Sequence, residues 1–470
     1  MTLQRYYFIF LTFFFINACF PQEHISQKTS TDESNVVIYL QPMPQEASQI
    51  RFEIAGIFAV RDDGLPIPLS LSINEIKGSD LTQLQKRLAT GWLPEGLYTG
   101  ISIKVEKAFL PGEEGEFSLL VPEEPVAVEH LFKVTRKNAQ TLFLSFNPKG
   151  AIAADGVRFT PGFSLAPSLK GLINFTGYVS NSDSNSITVF NKKTMQVIDT
   201  ISTGRKPKGM VLDKRRGQAF VAVSEDDAVE VIDVLYGKIV DRIKLRFRDE
   251  PIDLALTPDG RTLVSVNHGS NTVSIIDAIS RFEITRINVG KGPVSAVVDP
   301  RGLRAYIMDS LSNTVSVVDL FQKVFSASIG IEGAPLRGAF NRNGDRLYVI
   351  SPDSPNLTVI DPSSLTVTQK VFIGTGAVSI KVNTRTDLIL AGKKAGGEIS
   401  VIDPFSLMSI DSITVMNNAA FMTIDDDENS LFVVFPDGKI LQKINLTSKK
   451  VVAEIEVDVG AYAVVVMGER

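Results

Sequence analysis

The chain has 470 residues, with 48 Lys and Arg against 53 Asp and Glu, a formal net charge of −5 and 44% apolar residues. This mildly acidic balance carries no basic stretch suited to a phosphate backbone, so no nucleic-acid partner is expected. One cysteine excludes an intrachain disulfide, and three histidines at no metal-binding spacing, with no C-x-x-C-H, give no expectation of a metal or any other cofactor.

The chain opens "MTLQRYYFIFLTFFFINACF". Arg5 precedes an apolar run from Tyr6 to Ile16, too short to span a bilayer and of the length of a signal-peptide core. Residues 1–18 are therefore read as a signal peptide. The sole cysteine, Cys19, stands after Ile16, Asn17 and Ala18, where a lipoprotein signal places the thiol that is diacylated. Asn17 departs from the small residue usual there. Cleavage after Ala18 without lipidation, or an incidental cysteine, is the alternative. Two or three acyl chains would anchor the protein stably. The expected location is the bacterial cell envelope, on the outer membrane, facing the periplasm or the cell surface. Residues 19–35, polar and almost free of apolar side chains, read as a lipidated flexible tether.

Residues 36–170 read as a β-sandwich domain. "NVVIYLQPM", "IRFEIAGIFAVRD", "GLYTGISIKVEKA", "FSLLVP", "QTLFLSFNP" and "GVRFTPGFSLAPS" are strand-like runs divided by Gly, Pro and Asp turns. "SDLTQLQKRLATG", residues 79–91, has a Ser or Asp cap and a closing Gly91, and predicts a helix. "LPEGLYTGISIKVEKA" followed by "LFLSFNP" resembles a lipoprotein-associated bacterial domain family of unknown function, which implies no catalytic residues.

From 171 to 470 one phrase recurs: "SITVFN", "VEVID", "VSIID", "VSVVD", "LTVID", "ISVID" and "LQKIN". The closing residues are Asn191, Asp233, Asp277, Asp319, Asp361, Asp403 and Asn445, spaced 42, 44, 42, 42, 42 and 42 residues apart. A second ladder, Pro207, Pro251, Pro293, Pro335, Ala377, Ala419 and Ala461, keeps the same period, with "RFRDEP" holding a two-residue insertion. Each unit contains four short alternating strands, as in "PVSAVVDPRG", "LRAYIMD", "NTVSVVD" and "KVFSASIG". The first copy lacks its Pro-led strand, and the last ends in a surplus "AYAVVVM" at 461–467. Letting that strand complete the first blade predicts a closed seven-bladed β-propeller. The fold class is all-β.

"YVSNSDSNSITVFN" and "VNHGSNTVSIIDA" resemble the YVTN-type β-propeller repeat of the lactonase-like seven-bladed superfamily, over residues 172–470. The resemblance implies a secreted or cell-surface propeller. Some relatives are lactonases or haem-containing reductases, so it leaves the function open.

The closing acids recur too often to be catalytic, and read as turn-forming groups that bond backbone amides. "DDDEN", residues 425–429, lacks the alternating oxygens and Gly bend of a calcium loop and reads as a solvated turn. The informative positions are those where the repeat varies. Two residues after each Pro or Ala rung stand Gly209, Asp253, Ser295, Arg337, Ser379, Phe421 and Ala463, expected near one mouth of the central channel. Asp253 and Arg337 are the charged pair among them. Arg205, Lys206, Lys208, Arg246 and Arg248, offset by Asp249 and Glu250, crowd the neighbouring loops, and His268 lies in a loop on the same face. Candidate binding residues are thus Arg205, Lys206, Lys208, Asp253, His268 and Arg337. The expected function is that of a non-enzymatic scaffold presenting this loop face to a protein or glycan partner, with membrane contact through the lipid. A lactonase-like hydrolase at the channel mouth is the runner-up.

If Cys19 carries the anchor, Cys19→Ser moves the protein from the detergent phase to the soluble extracytoplasmic fraction on phase separation. Unchanged membrane partition with normal export contradicts lipidation there.

Overall fold

The computed structural model describes residues 33–469 apart from 113–114, 137 and 169–171. Cys19, the signal peptide and the tether as far as residue 32 lie outside the described residues.

Seven four-stranded antiparallel sheets form the ring. The second blade is representative, running outward through Pro207–Asp213, Gln218–Val223, Ala228–Asp233 and Lys238–Lys244. Its two middle strands, "QAFVAV" and "AVEVID", are buried at nearly every position, because both pleated faces meet a neighbouring blade. The outermost strand keeps only Ile243 buried and turns charged side chains outward. The other inner strands are Pro251–Leu256, Pro293–Val298, Arg337–Phe340, Ala377–Val382 and Phe421–Asp425, with Ala461–Val466 serving the first blade.

The repeated acids act as turn clamps. The Asp277 carboxylate accepts the N–H groups of Ile279 (2.9 Å) and Ser280 (2.7 Å), and Asp319 those of Phe321 (2.9 Å) and Gln322 (2.7 Å). Asn191 and Asn445 do the same with their side-chain carbonyls. Four residues after each anchor the chain enters the left-handed region, at Met195, Gly237, Arg281, Lys323, Leu365, Leu407 and Lys449. Only Gly237 adopts it without steric cost; at the other six the two accepted hydrogen bonds help offset the strain.

The ring closes as expected. Ala461–Val466 pairs antiparallel with Thr176–Asn181, with Tyr178 opposite Val465 and Val179 opposite Val464. A buried ion pair crosses the same seam, Lys192 to Asp425 at 2.6 Å, with side-chain exposures of 2% and 0%. Lys192 also donates to the carbonyl of Met467. This corrects the reading of 425–429 as a solvated turn. Asp425 and Asp426 are buried, Asp426 accepting the Thr384 hydroxyl at 2.6 Å, because their partners come from adjacent blades.

The N-terminal unit is one ten-stranded sheet folded over a single core into a half-barrel. Its backbone path runs Gly162–Pro167, Gln140–Asn147, Glu33–Leu40, Lys86–Pro94, Pro66–Leu71, Arg51–Arg61, Gly96–Gly112, Gly115–Leu119. Glu33–Leu40 starts within the segment read as tether. The sandwich's two layers are thus two halves of one sheet, joined where Pro66–Leu71 pairs with strands on either side. The helix expected at 79–91 is absent. Gly78–Leu81 is a single 3-10 turn, and Lys86–Pro94 is a strand. Leu, Gln, Lys and Ala favour helix locally, but here Lys86–Pro94 has a β partner on each side, and that pairing overrides propensity.

This unit sits on the seam. Along Glu33–Leu40, Val36, Ile38 and Leu40 face the half-barrel core. The alternate residues Val37 and Tyr39 join Phe143 and the propeller's Phe190, Val197, Phe432, Ile455 and Val457 in a second cluster. Lys86–Glu456 (2.8 Å), Arg87–Asp458 (2.9 Å) and a two-way bond between the Gln85 amide and the Val197 backbone (2.8 and 3.1 Å) complete the contact. Both the first and the last blade are thereby held by the same sheet.

Deleting residues 461–470 strips the first blade of its inner strand and leaves an open edge. The expected outcome is aggregation or a broad, non-cooperative melt; a truncated protein that melts like the whole chain contradicts closure by this strand.

Candidate functional site

Two places depart from sevenfold regularity: the central channel and one groove on the loop face.

The inner strands set the channel in layers. Counting each strand-entry rung as the first position, the third residues include Asp253, Ser295, Arg337, Ser379 and Phe421, and the fifth include Val211, Val297, Lys381 and Val465; all line one cavity of about 320 Å³. The two layers lie about 7 Å apart at the usual rise per strand residue. Ser295 and Ser379 donate their hydroxyls to the carbonyls of Leu336 (2.6 Å) and Ala419 on the next blade. Asp253 is buried and accepts the Ala296 N–H at 3.2 Å. Burial pushes its carboxyl above the ordinary range, partly countered by Arg337. A Cβ on Gly209 would come within 2.5 Å of Asp253 Oδ1, so the glycine makes room for this carboxylate.

Arg337 lies over the Phe421 ring, 4.6 Å from its centroid, and its buried Nε has no hydrogen-bond partner. Tyr462 stands beside Arg337 and Asp253; burial pushes its hydroxyl up and Arg337 pulls it down. In the lower layer Lys381 pairs with Glu469 at 2.8 Å, and Lys214 is exposed at the cavity's edge. Those lysines hold the Glu469 carboxyl low despite its burial. Among the described residues, no group of three His, Cys, Asp or Glu is placed to hold a metal ion.

The second place is the groove over blades one to three, of about 570 Å³, where Arg205, Lys206, Lys208, Phe247, Arg248 and Glu250 converge. The insertion "RFRDEP" builds its rim. Asp249, fully buried, takes a bidentate pair from Arg286, with Nη2 at 2.7 Å, and accepts the Arg246 N–H at 2.7 Å. Asp227 accepts the N–H groups of Arg248 and Glu250, both at 2.9 Å, and both residues take left-handed backbone. Every turn of this loop is pinned, yet Phe247 projects with 84% exposure.

The expected residues divide accordingly. Asp253 and Arg337 share one channel layer. Arg205, Lys206 and Lys208 share the groove, where Arg205 is bound to Asp226 (2.7 Å) and Lys206 to Asp183 (2.7 Å). His268 joins neither group; its Nδ1 lies 3.0 Å from the Pro293 carbonyl. Sequence reasoning missed Phe247, Lys381, Lys214, Glu469 and Tyr462. A signal for Lys381 existed: it is the charged residue in the series Val211, Ala255, Val297, Ala339, Lys381, Thr423, Val465.

A closed ring of seven four-stranded blades, with a shaped channel and a pinned loop groove, defines a seven-bladed β-propeller. Residues 174–469 match the YncE-like β-propeller family, and the chain belongs to it. Comparison with curated protein sequences finds no match. Among solved structures, a functionally unknown protein from Desulfotomaculum acetoxidans is similar with a TM-score of 0.56 and 15% identity, over 62% of this chain and 98% of that one. The dihydro-heme d1 dehydrogenase NirN matches with a TM-score of 0.50 and 13% identity, over 64% and 77%. Hydrazine synthase of Kuenenia stuttgartiensis matches at 0.49 and 18%, over 55% and 88%. At these identities the likeness is one of fold.

One further carboxylate attracts notice by its pKa. Fully buried Asp309 is pushed from 3.8 up to about 6 by desolvation, and accepts the hydroxyls of Ser316 (2.6 Å) and Thr314 (3.2 Å). Asn267 fills the equivalent place one blade earlier and donates to Thr272 (3.1 Å) and Ser274 (2.8 Å). Asp309 is therefore a structural variant of that amide. Because its folded pKa is raised, its stability penalty is absent below pH 4, grows between about 4 and 6, and is complete at neutral pH at about 3 kcal/mol. Asp309→Asn is expected to raise the melting temperature at pH 7.5 and to remove that fall with rising pH. A variant melting below wild type at pH 7.5 contradicts this.

Proposed function

We propose that this chain is a lipid-anchored extracytoplasmic binding protein that presents the loop face of its propeller to a protein or glycan partner. The observation that carries the reading is Phe247: a large apolar side chain almost wholly in solvent, on a loop whose backbone is pinned by Asp227, Asp249 and Arg286. A ring held ready at the edge of a polar groove loses little entropy on binding and gains its full burial, which is how aromatic anchors come to dominate interfaces. Charges of both signs line the groove beside it, Lys208 and Arg248 together with Glu225 and Glu250. Such a rim suits a polar partner and sets its orientation.

The competing hydrolase reading would need an acid–base pair in the channel. Asp253 is turned into a backbone N–H, and Glu469 is held by Lys381. These arrangements weigh toward binding over turnover.

The test is capture of envelope proteins and of arrayed glycans by full-length protein. Phe247→Ala is expected to reduce capture about tenfold or more, with an unchanged melting temperature. Equal capture by wild type and variant overturns the reading, as does lactone turnover by the purified protein that Asp253→Asn abolishes.

A further inference from the structure

The ring has a second face. Successive strands of a blade run antiparallel, so the turns after the first and third strands lie opposite the loop face that carries the Phe247 groove. At the tip of the turn after the third strand, two residues past each anchoring Asp or Asn, four of the seven blades carry a large apolar residue: Leu235, Ile279, Phe321 and Phe405. All four are exposed, Phe321 by 84% and Phe405 by 88%. The turns do not need these side chains, because each anchoring acid clamps its turn through backbone N–H groups. Blade five builds the same turn with Ser363. Leu303, in the turn after the first strand of blade four, is exposed and lines one groove of about 570 Å³ with Phe321 and Arg301.

Charge on this face is divided by depth. The anchoring acids Asp233, Asp277, Asp319, Asp361 and Asp403 are half-buried and accept amide N–H groups. Arg215, Lys238, Arg261, Arg301 and Arg342, on the same set of turns, are exposed, and none of them forms a salt bridge among the described residues. Ring closure brings the apolar tips of blades two, three, four and six near one plane, across more than half of the circumference. A convex protein surface meets a few such tips; a flat surface meets them all at once. Apolar side chains that enter the headgroup boundary, with cations beside them, are what an interfacial contact with anionic lipid requires. We propose that this turn face of the propeller rests on an anionic lipid bilayer, with Leu235, Ile279, Phe321 and Phe405 in the headgroup layer and the free cations at lipid phosphates. The Phe247 groove then faces away from the lipid. The inference stands on the ring alone and does not need Cys19 to be acylated.

Co-sedimentation of the full-length protein with vesicles of phosphatidylcholine, with and without phosphatidylglycerol, tests this. An acyl chain or an apolar leader enters both lipids, so the ratio of the two half-binding lipid concentrations reads the ring. Wild type is expected to need about tenfold less lipid when phosphatidylglycerol is present, a preference that added salt removes. Arg261→Gln with Arg301→Gln is expected to cut that preference about threefold or more. Phe321→Ser with Phe405→Ser is expected to raise the half-binding concentration about tenfold in both lipids, with an unchanged melting temperature because neither ring packs on the core. Equal binding of wild type to the two kinds of vesicle overturns the proposal, and so does unchanged binding by the folded phenylalanine variant. If that variant keeps vesicle binding but loses an envelope protein that wild type captures, the face belongs to a protein partner and the proposal fails. Phe247→Ala is expected to bind vesicles as wild type does; a loss as large as that of the Phe321 and Phe405 pair puts lipid on the loop face and overturns the proposal too. Partner capture and vesicle binding are separate measurements, so this proposal and the reading of the loop face fail separately.

Discussion

Each blade is apolar on both faces, so no blade can stand at an open end; ring closure is the constraint on which the rest of this molecule depends. The chain meets it by lending its last strand, Ala461–Val466, to its first blade, so that the two ends of the repeat become neighbours in one sheet. That ladder alone would leave the outer part of the seam held only by packing. The Lys192–Asp425 pair and the cluster around Phe190 and Phe432 tie the middle, and the half-barrel covers the outer edge through Tyr39, Arg87 and Gln85. A buried ion pair is weak evidence of net stability, because desolvation consumes much of the Coulomb gain. Its value here is specificity: only the correct pairing of first and last blades gives Lys192 and Asp425 each other.

A closed ring is stiff, and that stiffness reaches both candidate sites. The inner strands of all seven blades are locked in register by neighbours, so side chains at the third and fifth positions converge on the channel at set heights. The loop groove borrows the same frame. The insertion that carries Phe247 is clamped below by Asp249 to Arg286, a residue of the next blade's outer strand, and laterally by Asp227 of the preceding turn. Loop residues can thus act as though they belonged to rigid elements.

What could be read in the sequence was whatever has a local backbone cause. The anchoring acids are legible because an Asp or Asn that accepts two amides at a strand-to-strand turn has few substitutes, and its spacing counts the blades. The 79–91 segment was misread because helix propensity is local while the strand partners Glu33–Leu40 and Pro66–Leu71 are distant in sequence. Asp425 and Asp426 looked solvated for the same reason: the lysine and threonine that satisfy them, Lys192 and Thr384, lie on other blades. Phe247 lies among the charges of the insertion, and the exposure of an aromatic has no local signature in the sequence.

The channel shows where fold ends and function begins. At the third inner-strand position the other five blades carry Gly209, Ser295, Ser379, Phe421 and Ala463, none of them charged, and the two serine hydroxyls bond the next blade. Five of the seven blades therefore take their place in the ring without a charge at that layer. Asp253 is desolvated, although its carboxylate accepts the Ala296 N–H of the next blade, and Arg337 keeps a buried Nε without a hydrogen-bond partner. Buried charges where the other blades use neutral side chains are the ones a structural account leaves over. In a protein built by repeating one unit seven times, those leftovers, together with the single lengthened loop, are where its individual chemistry must reside.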